Sequence, residues 1–378
     1  MKIAVLSSRY PTTDNPYSHM FVHTRNKEYV MKGHQVTVLV PSTKPEQYEI
    51  DGVVVIKGSV QSFLPLLDET EGVMIHLLFH RFNRETDASV LYDYIQTHNI
   101  PCLFYIHGVE CQKIWRSRRD DIKLTAPMSI ARFIYRDFYL INKMRKTLKR
   151  FCIENSRSAF VTPSQWMSKE SVASTDVDTS AKTVIIPNGI DTERFKYREQ
   201  WENRHKLLSI RPLYAKGKYA NDLLIEASRH LENSQITVNL FGDGPEKDII
   251  REQVAKLNNF NLNVGFLQPS DIANIHQNFG MYGAVTRMDA QGVSMCEAMA
   301  SGLPVISFNT CAIPEFIEHG VTGMLASCYN VNEFVDYCRD ISTDKNKYIS
   351  IAESARNFIE AIDIKSTTEK ELKLLNSL

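Results

Sequence analysis

Residues 288–306 of the chain read MDAQGVSMCEAMASGLPVI. An apolar run that ends at Val285 precedes them and predicts a strand, whereas Asp289–Gly292 indicates a tight turn. Val293–Ala300 predicts a helix that ends at Gly302. A strand, a loop and a helix start in this order favour a bound phosphate, because the free amides and the positive end of the helix dipole face the loop.

Two carboxylates flank this predicted helix start. Asp289 lies in the loop and Glu297 lies eight residues later in the helix, so the pair is placed to hold hydroxyl groups at two ends of one ligand. Gly292 between them lets the backbone approach a ligand closely. The residues also allow a simpler interpretation, in which Gly292 makes a turn, Asp289 caps the helix and Glu297 is solvated.

Length and composition limit the class of protein. A chain of 378 residues predicts two domains, and 44 Lys and Arg against 44 Asp and Glu give no case for nucleic-acid binding. No apolar run approaches the roughly 20 residues of a spanning helix, and the chain begins with a strand pattern instead of a signal peptide. We therefore expect a cytoplasmic protein. The seven cysteines form no C-x-x-C pair, so we expect reduced thiols and no zinc site.

The chain alternates predicted strands and helices, which is typical of parallel α/β sheets. In the first half we predict strands at 2–6, 35–40, 53–56, 73–79, 102–106, 159–162 and 184–187, and helices at 20–31 and 85–97. In the second half we predict strands at 207–210, 236–241, 262–266 and 304–308, and helices at 221–231 and 246–257. The turn Asn188-Gly189 and the charged stretch 191–205 separate the two halves.

Several chemically active residues follow predicted strands directly. In the second half, Arg211 and Lys216 are suited to neutralise a diphosphate, and the segment Gly242 to Pro245 leaves room for a ligand. In the first half, His107 follows the strand 102–106, although a histidine beside a glycine is often only a turn residue. Because parallel strands end at one edge of a sheet, we expect each set to line that edge.

The segment 113–150 departs from the overall charge balance. It holds twelve Lys or Arg against Asp120, Asp121 and Asp137, and its apolar residues recur at helical intervals. This pattern predicts a basic amphipathic helix that lies on an anionic membrane surface. The residues that we expect to make this contact are Arg132, Phe133, Arg136, Lys143 and Lys146. A core helix with a solvated basic face, or one lining an anionic substrate groove, is the alternative.

Along nearly its whole length the chain resembles the retaining GT-B glycosyltransferases of family 4. The resemblance rests on motifs in the family's order: RYP at 9–11, GHQV at 33–36, HG at 107–108, PNGID at 187–191, GDGP at 242–245 and EAMASGLPVI at 297–306. It implies an α/β GT-B fold, in which two Rossmann-like, doubly wound domains face each other across a crevice. The implied domains are 1–187, joined by a C-terminal helix at 358–378, and 188–357, which binds the nucleotide sugar.

The resemblance also implies roles for single residues. Asp289 would contact the sugar hydroxyls and Glu297 the ribose of the nucleotide. Arg211 and Lys216 would bind the phosphates, with Lys218 as the alternative lysine because the spacing before Leu224 implies inserted residues. The remaining implied contacts are the amides of Gln291, Gly292 and Val293 with the diphosphate and sugar, Gly242 and Gly244 at the nucleotide, and His107 near the donor sugar and acceptor.

The implied reaction is retaining transfer without a metal or cofactor, from a UDP- or GDP-sugar to a glycan. The basic helix favours a lipid-linked acceptor, envelope polysaccharide or glycoconjugate synthesis, and a position on the inner face of the membrane. The alternatives are a GT-B nucleotide-sugar epimerase and a non-catalytic module that binds a glycan or membrane. The chain departs from the family at Asp289, where Glu is usual, at Gln291, where an aromatic is common, and in its first loop, which lacks paired glycines.

Overall fold

The computed structural model describes residues 1–78, 80–119, 122 and 126–378. The chain forms two compact units, of which the first comprises 1–189 with 364–378 and the second 190–363. The boundary at 189 lies two residues after the predicted one. The C-terminal helix of the first unit begins at Ile364 instead of residue 358, because Lys345–Glu360 is a continuous helix of the second unit.

The first unit is built on a largely parallel sheet. Its strands are β1 (Lys2–Ser7), β2 (Gln35–Pro41), β3 (Glu46–Ile50), β4 (Val53–Gly58), β5 (Gly72–His76), β6 (Cys102–Tyr105), β7 (Ser158–Thr162) and β8 (Thr183–Ile185). They lie in the order β3-β4-β2-β1-β5-β6-β7-β8, and β3 runs antiparallel to β4. The central strands β1, β5 and β6 are buried on both faces, as their continuous apolar runs predict.

Helices cover this sheet. They are α1 (Met20–Met31), α2 (Leu64–Asp68), α3 (Ser89–Thr97), α4 (Ile114–Ser117), α5 (Pro127–Ile134), α6 (Ile141–Ile153) and α7 (Gln165–Thr175), with α14 (Ile364–Asn376) from the end of the chain. The α1 bounds and the positions of the predicted strands are confirmed. The strand predicted at 73–79 ends at His76, because Leu77 has a left-handed backbone with φ 48°. Phe79, the last residue of that prediction, lies outside the described residues.

A buried ion pair joins α14 to α1. Arg25 Nε lies 3.1 Å from Glu371 Oε1, and their side chains are 1% and 0% exposed. The hydroxyl of Tyr29 donates to the same carboxylate, and Arg25 Nη2 donates to the Asn188 side chain at 3.3 Å. Gly189 is packed so tightly against α14 that an added Cβ would lie 2.5 Å from the Ile364 Cα. The first unit is therefore completed by residues that follow the second unit in the chain.

The second unit has its own parallel sheet. Its strands are β9 (Lys206–Ile210), β10 (Thr237–Gly242), β11 (Phe260–Val264), β12 (Met281–Ala284), β13 (Val305–Phe308) and β14 (Met324–Ala326). They lie in the order β11-β10-β9-β12-β13-β14. Its helices are α8 (Asn221–Leu231), α9 (Lys247–Val254), α10 (Ile272–His276), α11 (Val293–Ala300), α12 (Val331–Thr343) and α13 (Lys345–Glu360). The predicted α8 and α11 match in both bounds, and the predicted fold class, α/β with two doubly wound domains, is confirmed.

Both sheets contain a point where the strand order reverses. In the first sheet the chain leaves β1 toward β2 and returns on the other side through β5, and in the second it does the same around β9 and β12. Parallel α/β sheets bind ligands outside the carboxyl ends of the strands at such a reversal. The loops after β9 and β12 are therefore the natural ligand-binding loops of the second unit, and those after β1 and β5 of the first.

Candidate functional site

The strand reversal of the second sheet brings together two of the predicted segments. Arg211 follows β9 directly, and Asp289 lies five residues beyond β12, the neighbouring strand. Arg211 Nη1 lies 3.6 Å from Asp289 Oδ2. Two segments that are far apart in the sequence therefore form one charged site at the carboxyl edge of the sheet.

Glycines allow the loops after β9 and β10 to touch. Gly242 has φ 156°, and a Cβ at this position would lie 1.9 Å from the carbonyl oxygen of Arg211. A Cβ on Gly244 would lie 2.5 Å from the carbonyl oxygen of Leu213. Any larger residue at either position would push the Arg211 loop out of place. These glycines thus border the site by permitting backbone contact.

Arg211 is buried at the site with unused hydrogen-bonding capacity. Arg211 is 6% exposed. Among the described residues, Nε and Nη2 of Arg211 have no hydrogen-bond partner. A buried guanidinium with two unsatisfied donors carries a desolvation cost that an anionic ligand would remove. This is the strongest ligand signal in the second unit.

The Asp289 carboxylate shapes the loop before α11. Its Oδ1 accepts hydrogen bonds from the amides of Gly292 at 2.9 Å and Gln291 at 3.3 Å. Gly292 begins the helix in a left-handed conformation with φ 79°. The amides of Val293 and Ser294 come next, and first-turn amides have no acceptor within their own helix. Val293 and Ser294 therefore offer their amides to an anion more directly than Gln291 and Gly292 do.

Gln291 differs in role from an aromatic residue at the same place. The residue is 1% exposed, and its Nε2 lies 4.0 Å from Cys296 Sγ. The side chain consequently packs inward under the loop. Gln291 supports the shape of the turn through its side chain, while its amide is already bonded to Asp289.

The two candidate phosphate lysines differ in their surroundings. Lys216 is exposed, whereas Lys218 is half-buried and its Nζ lies 5.5 Å from the centre of the Tyr219 ring. The carbonyl oxygen of Lys218 accepts the amide of Arg287 at 2.8 Å. The backbone of Lys218 therefore fastens the loop after β9 to the segment after β12, while Lys216 is exposed on the same loop.

Glu297 lies half-buried on α11, the helix that starts at this site. Burial raises the pKa of its carboxyl to about 7, and Arg194 opposes this shift. Arg194 was not singled out from sequence, although it stands three residues after the PNGID motif. Its Nη2 is buried without a hydrogen-bond partner among the residues that the structure describes. Glu297 and Arg194 thus form a second polar position, in which one guanidinium donor of Arg194 is unsatisfied.

We expect Glu297→Gln to stabilise the protein above pH 7. The folded pKa of this acid is raised, so the folded state holds a proton that the unfolded state has lost between about pH 4.5 and pH 7, and stability falls as pH rises through that window. Removing the charge should recover on the order of 2 kcal/mol at pH 8 and little at pH 4. Thermal unfolding at both pH values measures this, with the exposed Glu226→Gln as the control. Equal effects at the two pH values would contradict the assignment.

In the first unit, His107 belongs to a stacked aromatic cluster at the sheet edge. Its Nε2 lies 3.0 Å from Nδ1 of His76, the last residue of β5, and its ring stacks on Tyr105. Phe21 packs against it with ring centroids 4.9 Å apart. Burial, with Arg25 and His19, keeps the pKa of His107 well below its usual value, so the ring is neutral. His76 was not predicted as a partner, because the strand was expected to continue past it.

The predicted basic amphipathic helix is divided by a π-helical turn. α5 is followed by Tyr135–Leu140 in π geometry and then by α6. The extra residue of this turn shifts the helix face, so Arg136 and Asp137 point inward. Arg136 is 8% exposed and its Nη2 donates to the carbonyl of Gln112 at 3.3 Å. The expectation that Arg136 contacts a membrane is therefore wrong.

Other cations of this segment have acidic partners. Lys143 Nζ lies 3.1 Å from Asp87 Oδ2. Phe133, the aromatic residue expected to contact a membrane, is half-buried against Trp115. Arg132 and Lys146 are exposed. Further ion pairs join Arg116 to Glu170, Arg145 to Asp176 and Arg150 to Asp93. The predicted charges at Asp120, Asp121 and Lys123 lie outside the described residues. The excess of positive charge at the surface is consequently smaller than the sequence count.

The described residues contain no group of three or more His, Cys, Asp or Glu side chains arranged to hold a metal ion. Within the same residues, no helix combines the length and apolar character needed to span a bilayer. The cysteines are all free thiols. His76 and His80, which have four-residue spacing, are separated by the end of β5, and His80 instead bonds Ser89 and Thr147.

Two family models match consecutive parts of the chain. The model described as Glycosyltransferase Family 4 matches residues 20–194, and that described as Glycosyl transferases group 1 matches residues 191–358. The two matches meet at the boundary between the two structural units. The second includes Arg211, Asp289 and Glu297.

Individual relatives agree with these matches. The chain is 30% identical over 162 residues to poly(ribitol-phosphate) alpha-N-acetylglucosaminyltransferase of Staphylococcus aureus, covering 41% of this chain and 32% of the relative. It is 25% identical over 193 residues to sulfoquinovosyl transferase SQD2 of Arabidopsis thaliana, covering 48% and 37%. The chain thus spans about a third of the length of the curated relatives that it matches.

The fold is that of a solved structure along its whole length. Anabaena Alr3699/HepE in complex with UDP and glucose superposes with a TM-score of 0.72 at 16% identity, and the match covers 100% of both chains. At this identity the likeness concerns the fold alone.

Proposed function

Since the chain belongs to the group 1 and family 4 glycosyltransferases with a GT-B fold, we propose that it transfers a sugar from a nucleotide-sugar donor to a glycan acceptor. The observation that carries this proposal is Arg211, which is buried at the strand reversal of the second sheet with two unsatisfied donors. A diphosphate is the part of the donor that such a guanidinium would bind.

The proposed chemistry is stabilisation of the leaving group. As the bond between the anomeric carbon and the diphosphate oxygen breaks, negative charge develops on that oxygen. Arg211, Lys216 and the amides at the start of α11 would face this charge, so no metal or cofactor is required. Electrostatic stabilisation of this kind is usually the largest protein contribution to such a step.

We propose that the anomeric configuration is retained through attack from the front face. The acceptor oxygen would bond to the anomeric carbon on the side from which the diphosphate leaves, and its proton would pass to the departing diphosphate. Asp289 would hold sugar hydroxyls with Oδ2, because Oδ1 is occupied by the loop amides. Glu297 would accept a hydroxyl of the ribose, and His107 would serve the acceptor side.

Asp289 is one methylene shorter than the usual Glu, and its Oδ1 is fixed by the loop. Both features restrict which sugar hydroxyl it reaches. We propose that the donor is a UDP- or GDP-sugar that carries a hexose. A thermal-shift panel of nucleotide sugars tests the donor, because a bound donor raises the melting temperature by mass action.

Between the two lysines, we expect Lys216 to bind the phosphates. Lys216→Ala should lower turnover at saturating donor by at least about tenfold, since a charge-assisted contact to the leaving group is lost. Lys218→Ala should change turnover less than Lys216→Ala, because the loop is held by the Lys218 backbone carbonyl, which the substitution keeps. Steady-state kinetics of both variants decide the matter. A larger loss in Lys218→Ala would reverse the assignment.

Transfer is distinguished from two other functions by its products. A nucleotide-sugar epimerase would convert the donor into a new isomer without any acceptor. A non-catalytic module that binds a glycan or membrane would neither transfer nor hydrolyse a labelled donor. Incubating the protein with labelled nucleotide sugar, with and without glycan acceptors, separates all three, and a labelled glycan with the starting anomeric configuration is the result we expect.

For the acceptor, we propose a lipid-linked glycan of envelope polysaccharide or glycoconjugate synthesis, reached from the inner face of the membrane. The support comes from the helical segment of the first unit. Exposed aromatic and aliphatic side chains there include Met128, Phe138 and Trp115, which are 81%, 66% and 61% exposed. Arg132 and Lys146 are exposed on the same segment. Exposed aromatics beside cations are typical of surfaces that bind anionic bilayers.

We expect the protein to float with liposomes that contain anionic lipid and not with neutral ones. Phe138→Asp should abolish flotation, because a charge replaces an exposed aromatic ring at the membrane surface. The matched control is Phe266→Asp, which changes a ring that is 71% exposed in the second unit. Absence of flotation under both lipid conditions would point to a soluble acceptor.

A further inference from the structure

Two histidines are joined at the carboxyl edge of the first sheet. His76 is the last residue of β5, and His107 lies two residues beyond β6, the neighbouring parallel strand. Nδ1 of His76 lies 3.0 Å from Nε2 of His107. Two neutral imidazoles share such a bond only if one nitrogen carries a proton and the other offers its lone pair. The pair therefore has two possible arrangements, which differ in what His107 presents to a ligand.

Both rings are neutral in the folded protein. Burial is the largest cause that lowers the pKa of each ring well below its usual value, and the Arg25 guanidinium adds to the effect. Arg25 is close to the pair through Tyr105. Its Cζ lies 5.1 Å from the centre of the Tyr105 ring, and His76 stacks on that ring with centroids 4.0 Å apart. The bond consequently joins two neutral rings.

The surroundings of His76 decide between the two arrangements. His76 is 0% exposed, and its Nε2 has no hydrogen-bond partner among the residues that the structure describes. If Nε2 carried the proton, a buried N–H donor would be left unpaired. Buried N–H groups without a partner are rarer in proteins than acceptors without one. The proton of His76 therefore belongs on Nδ1, inside the bond to His107.

The orientation of His107 is fixed by further contacts. Its backbone amide and that of Gly108 donate to Oε1 of Glu110. Its ring stacks on Tyr105 with centroids 5.8 Å apart, and Phe21 packs against it. The residue is only half-buried. Since Nε2 is bonded to His76, Nδ1 is the ring nitrogen that remains for a ligand.

We propose that His76 is a positioning residue that fixes the tautomer of His107. The Nδ1–H of His76 donates to Nε2 of His107, so the proton of His107 is on Nδ1. His107 then presents an N–H donor to a substrate oxygen, and neither of its nitrogens has a free lone pair for a proton. His107 thus orients a sugar and leaves the acceptor proton to the departing diphosphate. This role rests on the proposed transfer function, whereas the tautomer does not.

The tautomer is measured by ¹⁵N NMR of protein labelled in its histidine rings, because the shift of each ring nitrogen reports whether it carries a proton. Loss of signals in His107→Phe assigns that ring. In the wild-type protein we expect a proton on Nδ1 of His107 and none on Nε2. His76→Phe keeps a ring to stack on Tyr105 and removes the bond, so the His107 proton should divide between both nitrogens.

The matched control for the spectrum is His276→Phe. His276 is also 0% exposed with an unsatisfied Nε2, and its Nδ1 bonds Ser301 at 2.8 Å in the second unit. Its replacement should leave the His107 signals unchanged. A proton on Nε2 of His107 in the wild-type protein, or the same His107 signals in His76→Phe, would overturn the proposal. The wild-type spectrum alone decides the tautomer if a variant does not fold.

Steady-state kinetics separate positioning from a purely structural role. His76→Phe should lower turnover at saturating donor about tenfold, since a hydrogen bond to the substrate is lost. The double variant His76→Phe with His107→Phe should lose no more turnover than His107→Phe alone, because His76 acts only through His107. Additive losses would contradict positioning. The expected tautomer without transfer to any acceptor would instead count against the proposed function alone.

Discussion

Arg211→Ala should lower turnover at saturating donor by about 100- to 1,000-fold, which is the usual cost of removing a group that stabilises transition-state charge. The expectation follows from the position of the guanidinium, 3.6 Å from Asp289 and with two unsatisfied donors. Arg211→Lys should recover only part of the loss, because an ammonium keeps the charge without the planar fork.

The activity loss in Arg211→Ala should occur without loss of stability. A buried cation with unsatisfied donors costs folding energy, so its removal leaves the melting temperature unchanged or raises it. Steady-state kinetics and thermal unfolding of the same preparation measure both effects. The exposed Arg251→Ala, also in the second unit, is the control for removing a positive charge. Near-normal turnover in Arg211→Ala would refute the assignment of the leaving-group site.

The second large effect concerns stability. Glu371→Ala should destabilise the first unit by about 3–5 kcal/mol, because it leaves the Arg25 guanidinium buried without its carboxylate. The double variant Arg25→Met with Glu371→Leu should recover much of this loss, since apolar residues of similar size can replace a buried ion pair. Urea unfolding measures each variant.

Fluorescence can report on the first unit alone. Trp115 and Trp166 belong to it, and a Trp201→Phe background removes the tryptophan of the second unit. Glu369→Ala is the control on the same helix, because its pair with Lys373 is largely exposed and should contribute less than about 1 kcal/mol. If Glu371→Ala costs no more than Glu369→Ala, the buried pair does not hold the helix in place.

The sequence predicts most elements of the fold because their patterns are local. The runs that form β1 and β9 are continuous and apolar, and α11 lies between a glycine at its start and another after its end. β3 is missed because EQYEI is an exposed edge strand with few apolar residues. β14 is missed because three residues are too short to show a period.

The candidate site is predicted in part for the same reason. Motifs identify Arg211, Asp289 and Glu297 one by one, and the parallel sheet brings the first two together. The state of each group depends on distant partners that no local pattern contains. Burial of Glu297, the contact between His76 and His107, and the inward turn of Arg136 all arise from tertiary packing.

The charge count over 113–150 shows the same limit. Arg116, Arg145 and Arg150 each pair with an acid at least 30 residues away along the chain. A local excess of cations therefore overstates the charge that a surface presents. Membrane binding, if flotation detects it, should depend on Phe138 more than on the total number of cations.

The docking of α14 onto α1 also has a consequence for synthesis of the chain. The second unit, 190–363, is encoded between the two parts of the first, so all of its residues leave the ribosome before Glu371 does. During translation, the Arg25 side chain has no carboxylate partner until Glu371 has been synthesised. By that time the whole sequence of the second unit has already been made. We therefore expect the second unit to reach its native state on the nascent chain first, and the first unit, which needs α14, to mature last.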